Sequence, residues 1–440
     1  MKCRLVDVRA PTSVVQSQIQ IVEFIYAVVL VFSLTQGPVL RLWRSAELYT
    51  SVPITPTIQA TFFVVQLPAL LILARRGIAR HHLHSPLVLL FGLVLWMMAS
   101  TFWTNLSRYS IVEATSFGVS TFVGLYIALS FSVKKQILAV FCSMQLGVMY
   151  SYTAVRLDWP ETISADGNWV GVYFNRNSLA PVAMIGFASS VFVFYLAATK
   201  LNSNLRLPAL TTIAMFSLID LAVYSKTNSA MSLGAMAVFG LTWSFWTLVR
   251  GVKNERRLST LDIQRLVYPV FIAAALFFAW IGFRYQQLII GWFGKADFFN
   301  GRSALWHYSW TGVLERPVLG WGWRAAWSTP EFLKRDLWWT TSGAQFSHNG
   351  FLEVLLGGGF IAGLMFLVFV VWSGWVRVGS VCKEELGQWS FALAAFILAA
   401  NSQEVFITGN HFLWVLLVAS LSRVKPAPVQ SVETSSTPST

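Results

Sequence analysis

Long, nearly uncharged apolar runs recur along the whole chain, separated by short polar stretches, and no other feature constrains the fold as tightly. A bilayer core about 30 Å thick needs roughly 20 apolar residues in a helix, and lipid offers no partner for an unpaired backbone amide. Twelve runs qualify, at 19–37, 57–74, 86–103, 112–131, 137–155, 178–198, 207–225, 229–249, 266–283, 351–375, 389–406 and 410–422. Strand-period alternation is absent, which excludes an outer-membrane barrel. Hydrophobic residues make up 55% of the 440 residues and charged residues only 12%. A soluble chain of this length needs about twice that charge to cover its surface. The expected fold is therefore an all-α membrane protein, a polytopic bundle of about twelve transmembrane helices over residues 1–425. It includes a large, partly helical extracytoplasmic loop at 284–350. The Ser-, Thr- and Pro-rich stretch 426–440 reads as a disordered cytoplasmic tail. The first apolar run starts late and lacks a small-residue cleavage site, so no cleavable signal peptide is expected.

Orientation follows from the basic residues, which favour cytoplasmic loops. With both ends inside, the cytoplasmic segments hold Lys2, Arg4 and Arg9, then Arg75, Arg76 and Arg80, then Lys134 and Lys135, then Lys200 and Arg206. Arg250, Lys253, Arg256, Arg257 and Arg265 follow, and finally Arg377, Lys383, Arg423 and Lys425, for 19 of the 32 Lys and Arg residues. The net charge of +13 thus reports topology and anionic headgroups rather than nucleic-acid binding. Three cysteines make no disulfide framework, and no zinc spacing, Walker loop or dinucleotide fingerprint is present. No cofactor is expected.

Three outer segments depart from this plain pattern. The first runs from Arg156 to Asn177 and ends Phe174-Asn175-Arg176-Asn177. The second is the turn Ser225-Lys226-Thr227-Asn228-Ser229. The third is the loop from Arg284 to Gly350, too long for a simple connector. Within it Trp306, Trp310, Val313 and Leu314 recur at helical spacing, which predicts a helix over 302–316 with one apolar face. Asn300 or Ser303 can cap its start and Pro317 ends it. The same loop holds Trp292, Trp306, Trp310, Trp321, Trp323, Trp327, Trp338 and Trp339. Indoles at a headgroup boundary form the ordinary aromatic belt, but aromatic faces also stack on sugars. Arg176 and Lys226 at span ends are by default snorkelling anchors, although outside cations run against the positive-inside bias. Glu113 and Asp220 fall within spans, where pairing with a buried cation is the expected role.

The pattern Asn300-Gly301-Arg302-Ser303-x-x-Trp306, Arg316-Pro317-x-x-Gly320-x-Gly322, His348-Asn349-Gly350-x-x-Glu353 and Gly357-Gly358-Gly359 resembles the O-antigen ligase and polymerase-like family. The upstream segments ending at Asn177 and Ser229 fit in the same order, so the resemblance covers roughly residues 100 to 420. It implies a metal-independent, inverting glycosyltransferase in the cytoplasmic membrane of a bacterium, with its site on the extracytoplasmic face. The implied donor is a glycan on polyprenyl (undecaprenyl) diphosphate, and the acceptor another glycan, a lipid or a protein, in surface polysaccharide assembly. Position by position, the resemblance makes His348 the catalytic histidine. It makes Arg176, Lys226 and Arg302 the cations that hold the donor diphosphate. Trp306, Trp310, Trp321, Trp323, Asn349 and Glu353 become candidate glycan contacts. Lys226 departs from the usual arginine, replacing a bidentate fork with a point charge. The triple glycine reads as a site of close helix packing.

The chemistry asks for the same groups. Displacing a diphosphate from an anomeric carbon needs fixed cations for the departing charge and a base for the acceptor proton. A metal-dependent relative would want paired carboxylates in an early outer loop, and the first outer loop offers only Glu47, so no metal site is expected. Polymerase is slightly favoured over ligase from the form of the His348 segment. The alternative is a polysaccharide flippase or other secondary transporter, which predicts internal repeats and broken charged helices at mid-membrane.

Overall fold

The apolar runs become helix over most of their length, since a helix satisfies its own backbone hydrogen bonds and can turn apolar side chains outward. The structure, a computed structural model, describes residues 11–43, 56–76, 86–256, 259–284, 302–334, 346–381 and 386–422. The first half of the chain holds α1 (Pro11–Leu34), α2 (Gly37–Trp43), α3 (Pro56–Arg76), α4 (Leu87–Ala99), α5 (Ser107–Ser130), α6 (Val133–Arg156) and α7 (Arg176–Lys200). Then come α8 (Ser203–Thr227), α9 (Ala230–Arg256) and α10 (Thr260–Asp262), which runs through a π turn into α11 (Tyr268–Arg284). The last elements are α12 (Arg302–Glu315), α13 (Pro330–Leu333), α14 (Gly350–Val381), α15 (Gln388–Asn401) and α16 (Phe412–Leu421). No strand occurs among the described residues.

Eight of the described helices are long and apolar enough to cross a bilayer, and nine if one bent pair counts as a single span. That pair is α1 and α2, which meet at 69° across Gln36, a residue in the left-handed region. The runs expected at 86–103, 389–406 and 410–422 form shorter apolar helices, Leu87–Phe102, Gln388–Asn401 and Phe412–Leu421. The penultimate run therefore stops at Asn401, and residues 402–411 form a connection instead of helix. Every residue of α16 is buried by protein, so its uniform apolarity reflects a core position. The 426–440 tail, Asn300, Gly301, Trp292, Trp338 and Trp339 lie outside the described residues.

Helix α7 packs between α6 and α8, α15 packs on α9, and α5 packs on both α3 and α16. The helix ends expected on the outer side gather at one end of the bundle. Arg41 in the last turn of α2 donates to the Pro160 carbonyl, Gln59 of α3 accepts from Asn410, and Trp323 N–H donates to Ser100. At the opposite end Arg76 binds Glu23 and Ser130.

Two of the sequence motifs interlock near the outer end. Helix α14 is broken at Gly359, whose φ of 67° and ψ of −168° suit only glycine. The carbonyls of Leu356 and Gly357 accept from Trp321 N–H (2.7 Å) and Gly322 N–H (3.1 Å), and Phe360 N–H donates to Pro317 (2.7 Å). A Cβ on Gly359 would lie 2.1 Å from the Val318 carbonyl oxygen. The triple glycine is thus a backbone dock for the 317–322 segment, a closer contact than the helix packing expected of it.

Candidate active site

Five segments remote in sequence converge at the outer end. Asn175 caps α7 by accepting from Ser178 N–H (2.9 Å), which sets Arg176 and Asn177 in the first turn. Arg302 opens α12, and Ser229 stands just before α9. His348 holds a left-handed backbone (φ 50°) one step before the N-cap of α14. Glu404 lies in the connection after α15, and its carbonyl accepts from Gly350 N–H (3.0 Å). A Cβ on Gly350 would strike Asn401 Oδ1 at 2.1 Å, so only glycine lets the His348 turn seat on this connection.

The Glu404 side chain is the hub. It is buried, and its Oε1 accepts from Arg302 Nη2 (2.7 Å) and Asn177 Nδ2 (2.7 Å). Its Oε2 lies 3.0 Å from His348 Nδ1. Ser229 Oγ donates to Asn177 Oδ1 (3.1 Å), orienting that amide, and Arg302 also donates to the Gln403 carbonyl. Burial pushes the Glu404 carboxyl up, but the His348 hydrogen bond, the charges of His348 and Arg302, and the Asn177 bond outweigh it. The group is held below its ordinary value, as a carboxylate.

In the neutral imidazole a carboxylate at Nδ1 selects the tautomer with its proton there, which puts the lone pair on Nε2. The His348 side chain is 33% exposed, so Nε2 is reachable. Arg302 Nη2 lies 3.5 Å from the same Nδ1, a charge contact beside the hydrogen bond. An imidazole oriented by a carboxylate, with a guanidinium alongside, can take a proton and can steady a nearby anion.

A second ion pair braces the turn from beneath. Glu353, buried in the first turn of α14, accepts from Ser347 N–H (2.7 Å) and Trp327 Nε1 (2.8 Å). Its other oxygen faces Arg324 Nη1 at 3.6 Å. Burial pulls the Arg324 guanidinium down, and Glu353, Tyr109 and Glu113 more than offset this, so it stays charged. Glu113 thus contributes to holding the Arg324 charge, while its own carboxylate accepts from Gln59 Nε2 at 3.3 Å.

The expected diphosphate cations meet different fates. Arg302 sits inside the cluster. Arg176 follows the cap of the helix that supplies Asn177, and pairs with the exposed Asp166 at 3.3 Å. Such a half-exposed pair is weak and easily exchanged for a ligand. Lys226 is exposed, and its carbonyl accepts from Trp169 N–H (2.9 Å), which ties its turn to the segment leading into Arg176.

Four of the expected glycan contacts are corrected by burial or by backbone duties. Trp323 is fully enclosed against Phe117, with ring centroids 4.9 Å apart. Trp321 is buried and donates to the Gly312 carbonyl (2.8 Å), with Arg316 over its ring at 4.0 Å. Asn349 caps α14 by accepting from Phe351 and Leu352 N–H. Glu353 is occupied as described. Trp321, Trp323 and Glu353 present no free face to a sugar, and half-buried Asn349 has its Oδ1 committed to the cap. Trp306 is half-buried and Trp310 is exposed, so these two remain on the surface.

Sequence reasoning missed Glu404, Gln403 and Arg324 altogether, and took Asn177 only as part of a motif. The one available signal was a carboxylate in the otherwise uncharged stretch 389–422, which is costly near a membrane unless it is partnered. Among the described residues no group of three or more His, Cys, Asp or Glu side chains is gathered as a metal site requires. No family model, curated protein or solved structure matches this chain.

Proposed function

We propose that this chain is a membrane glycosyltransferase that transfers or polymerises glycan from a polyprenyl diphosphate donor at the extracytoplasmic face of a bacterial cytoplasmic membrane. The observation that carries the reading is the Glu404-oriented His348 beside Arg302, at the bundle end where Arg176 and the Lys226 turn also stand. His348 Nε2 takes the proton of the acceptor hydroxyl. The oxygen so freed attacks the anomeric carbon, and the bond from that carbon to the diphosphate oxygen breaks. Single displacement inverts the anomeric centre. The departing diphosphate leaves unprotonated because Arg302, Arg176 and Lys226 hold its charge.

The assay that tests this reading uses purified protein, a lipid-diphosphate glycan donor and excess chelator. Product with an inverted linkage should form in the chelator, and activity that requires added magnesium or manganese overturns the metal-free scheme. In the same assay Arg176→Ala should weaken donor use strongly, Lys226→Ala should weaken it, and Lys226→Arg should restore it. Wild-type activity in both alanine variants would reduce these residues to anchors.

The reading needs the site outside and all twelve apolar helices arranged as spans with both termini inside. A cysteine replacing Glu331 should then be labelled by an impermeant thiol reagent on intact spheroplasts, and one replacing Lys253 should not. Reversed labelling removes the topology and the site with it.

A transporter is the second reading, and a buried carboxylate within a span, Asp220, is the observation in its favour. A transporter forms no glycosidic bond, so the same assay separates the two.

A further inference from the structure

Asp220 takes no part in the outer cluster. It lies on α8 about two turns below the outer end of that helix, fully buried against α6 and α7. Its Oδ2 accepts from Gln145 Nε2 of α6 at 2.7 Å. The second hydrogen on that nitrogen points to Ser190 Oγ of α7 at 3.3 Å. Ser190 has one hydroxyl proton, shared between the Gly186 carbonyl at 2.9 Å and Asp220 Oδ2 at 3.4 Å, and it reaches neither unpartnered oxygen of the cluster. Ser189 also donates to Gly186. Every donor of the cluster has then been spent. Two buried acceptors remain without a partner, Asp220 Oδ1 and Gln145 Oε1. They belong to the same two side chains that already share one hydrogen bond.

The cluster lacks one donor and carries one charge too many, and a single proton corrects both faults. A carboxylic acid and a primary amide form a two-bond ring, with amide N–H to acid carbonyl and acid O–H to amide oxygen. The first of those bonds is present, and the unpartnered oxygens are the acceptor and donor positions of the second. An ionised carboxylate here would be desolvated without a counter-ion, at a cost of several kcal/mol. The charged side chains on the three helices sit near their ends: Lys134, Lys135 and Arg156 on α6, Arg176 and Lys200 on α7, Arg206 and Lys226 on α8. The other titratable groups on these helices are Cys142, Tyr150 and Tyr152 of α6, Tyr195 of α7 and Tyr224 of α8. None of them hydrogen-bonds Asp220 among the described residues; Tyr224 donates to the Ser229 carbonyl instead.

We infer that Asp220 and Gln145 form a buried proton-binding site, in which Asp220 is a carboxylic acid at neutral pH and its acid–amide pair with Gln145 holds α8 to α6. Much of α8 turns apolar side chains such as Leu207, Met215 and Leu218 outward, so this buried polar pair, with the Lys226 carbonyl bond to Trp169 N–H, ties it directionally to the bundle. A proton suits the site better than a metal cation. Sodium or calcium needs about six oxygens, and the amide nitrogen already occupies one carboxylate oxygen.

Infrared spectroscopy of the full chain in lipid nanodiscs tests the assignment. Labelling the unmutated protein with isotope-substituted aspartate should shift a carboxylic-acid carbonyl band at neutral pH, and that band should be absent from Asp220→Asn. Gln145→Leu should move the band to higher frequency by removing its hydrogen bonds. Because the folded state would hold a proton that the unfolded state releases, thermal stability should fall as pH rises above the ordinary carboxylate range. Asp220→Asn, which mimics the acid, should lose that slope. An aspartate spectrum made only of ionised carboxylate bands at neutral pH overturns the proposal. So does stabilisation by sodium but not by choline at fixed ionic strength that disappears in Asp220→Asn, since the ligand would then be a metal ion.

Discussion

Replacing His348 by alanine is expected to lower glycan transfer by about 10²–10⁴-fold, the usual contribution of a general base. The protein should still reach the membrane at normal levels, because a side chain one-third exposed adds little to packing. His348→Gln should fail almost as badly, since an amide can hydrogen-bond but cannot accept the proton. Donor binding should change far less than turnover, because the diphosphate is assigned to other side chains. Two other histidines near this end of the bundle are the controls. His307 is exposed on α12, so His307→Ala should stay near wild type. His411 is buried and its Nδ1 accepts from Leu413 N–H as the cap of α16, so His411→Ala should lose stability before chemistry. Near-wild-type transfer by His348→Ala, with loss in His307→Ala, would reassign the base.

Glu404 should show the other large effect, on activity and on stability together. Removing one partner of a buried ion pair costs about 3–5 kcal/mol, because the remaining charge stays desolvated. Glu404→Ala strands Arg302, frees the Asn177 amide and releases His348 at once. Glu404→Gln keeps the shape but loses the charge, so it should fold better than the alanine variant and still transfer poorly. The pair Glu404→Gln with Arg302→Met should be more stable than Glu404→Gln alone, since neither charge is then left unpaired. The sign of the pH effect follows from the lowered Glu404 value. Its contribution is full above the ordinary carboxylate range and is lost as pH falls through the folded-state value, so wild type should lose stability in acid over a window where Glu404→Gln is flat. Equal stability of Glu404→Ala and wild type across that range would mean the carboxylate does not organise the cluster.

How the site assembles explains why part of it was legible in sequence and part was not. Residues at α12 were readable because local signals mark a helix, its period and the proline beyond its end. Of the two expected caps, Asn300 lies outside the described residues and Ser303 falls inside the helix. The helix expected at 302–316 appears as Arg302–Glu315. Its inward face was readable only in part. Of the expected apolar face Val313 is buried and Trp306 half-buried, while Trp310 and Leu314 are exposed. Leu305, Tyr308, Ser309 and Gly312 also turn toward the protein. In a soluble helix the apolar stripe marks the core. Near a membrane, lipid and protein interior are equally apolar, and small residues mark the closer packing instead.

By itself the sequence determined that this chain is an all-helical membrane protein, because lipid leaves an apolar run no other way to satisfy its backbone. It also marked the triple glycine as a place of close approach, which the structure shows at Gly359. Only the tertiary structure decided which polar groups meet. Glu404 bonds Asn177 across 227 residues, Arg302 across 102 and His348 across 56. No local rule links positions so far apart. Each alone is a polar residue near a span end, with a headgroup contact as its ordinary explanation. What joins them is the cost of leaving a buried carboxylate unpaired, which the packed bundle meets by bringing a guanidinium, an amide and an imidazole to one point.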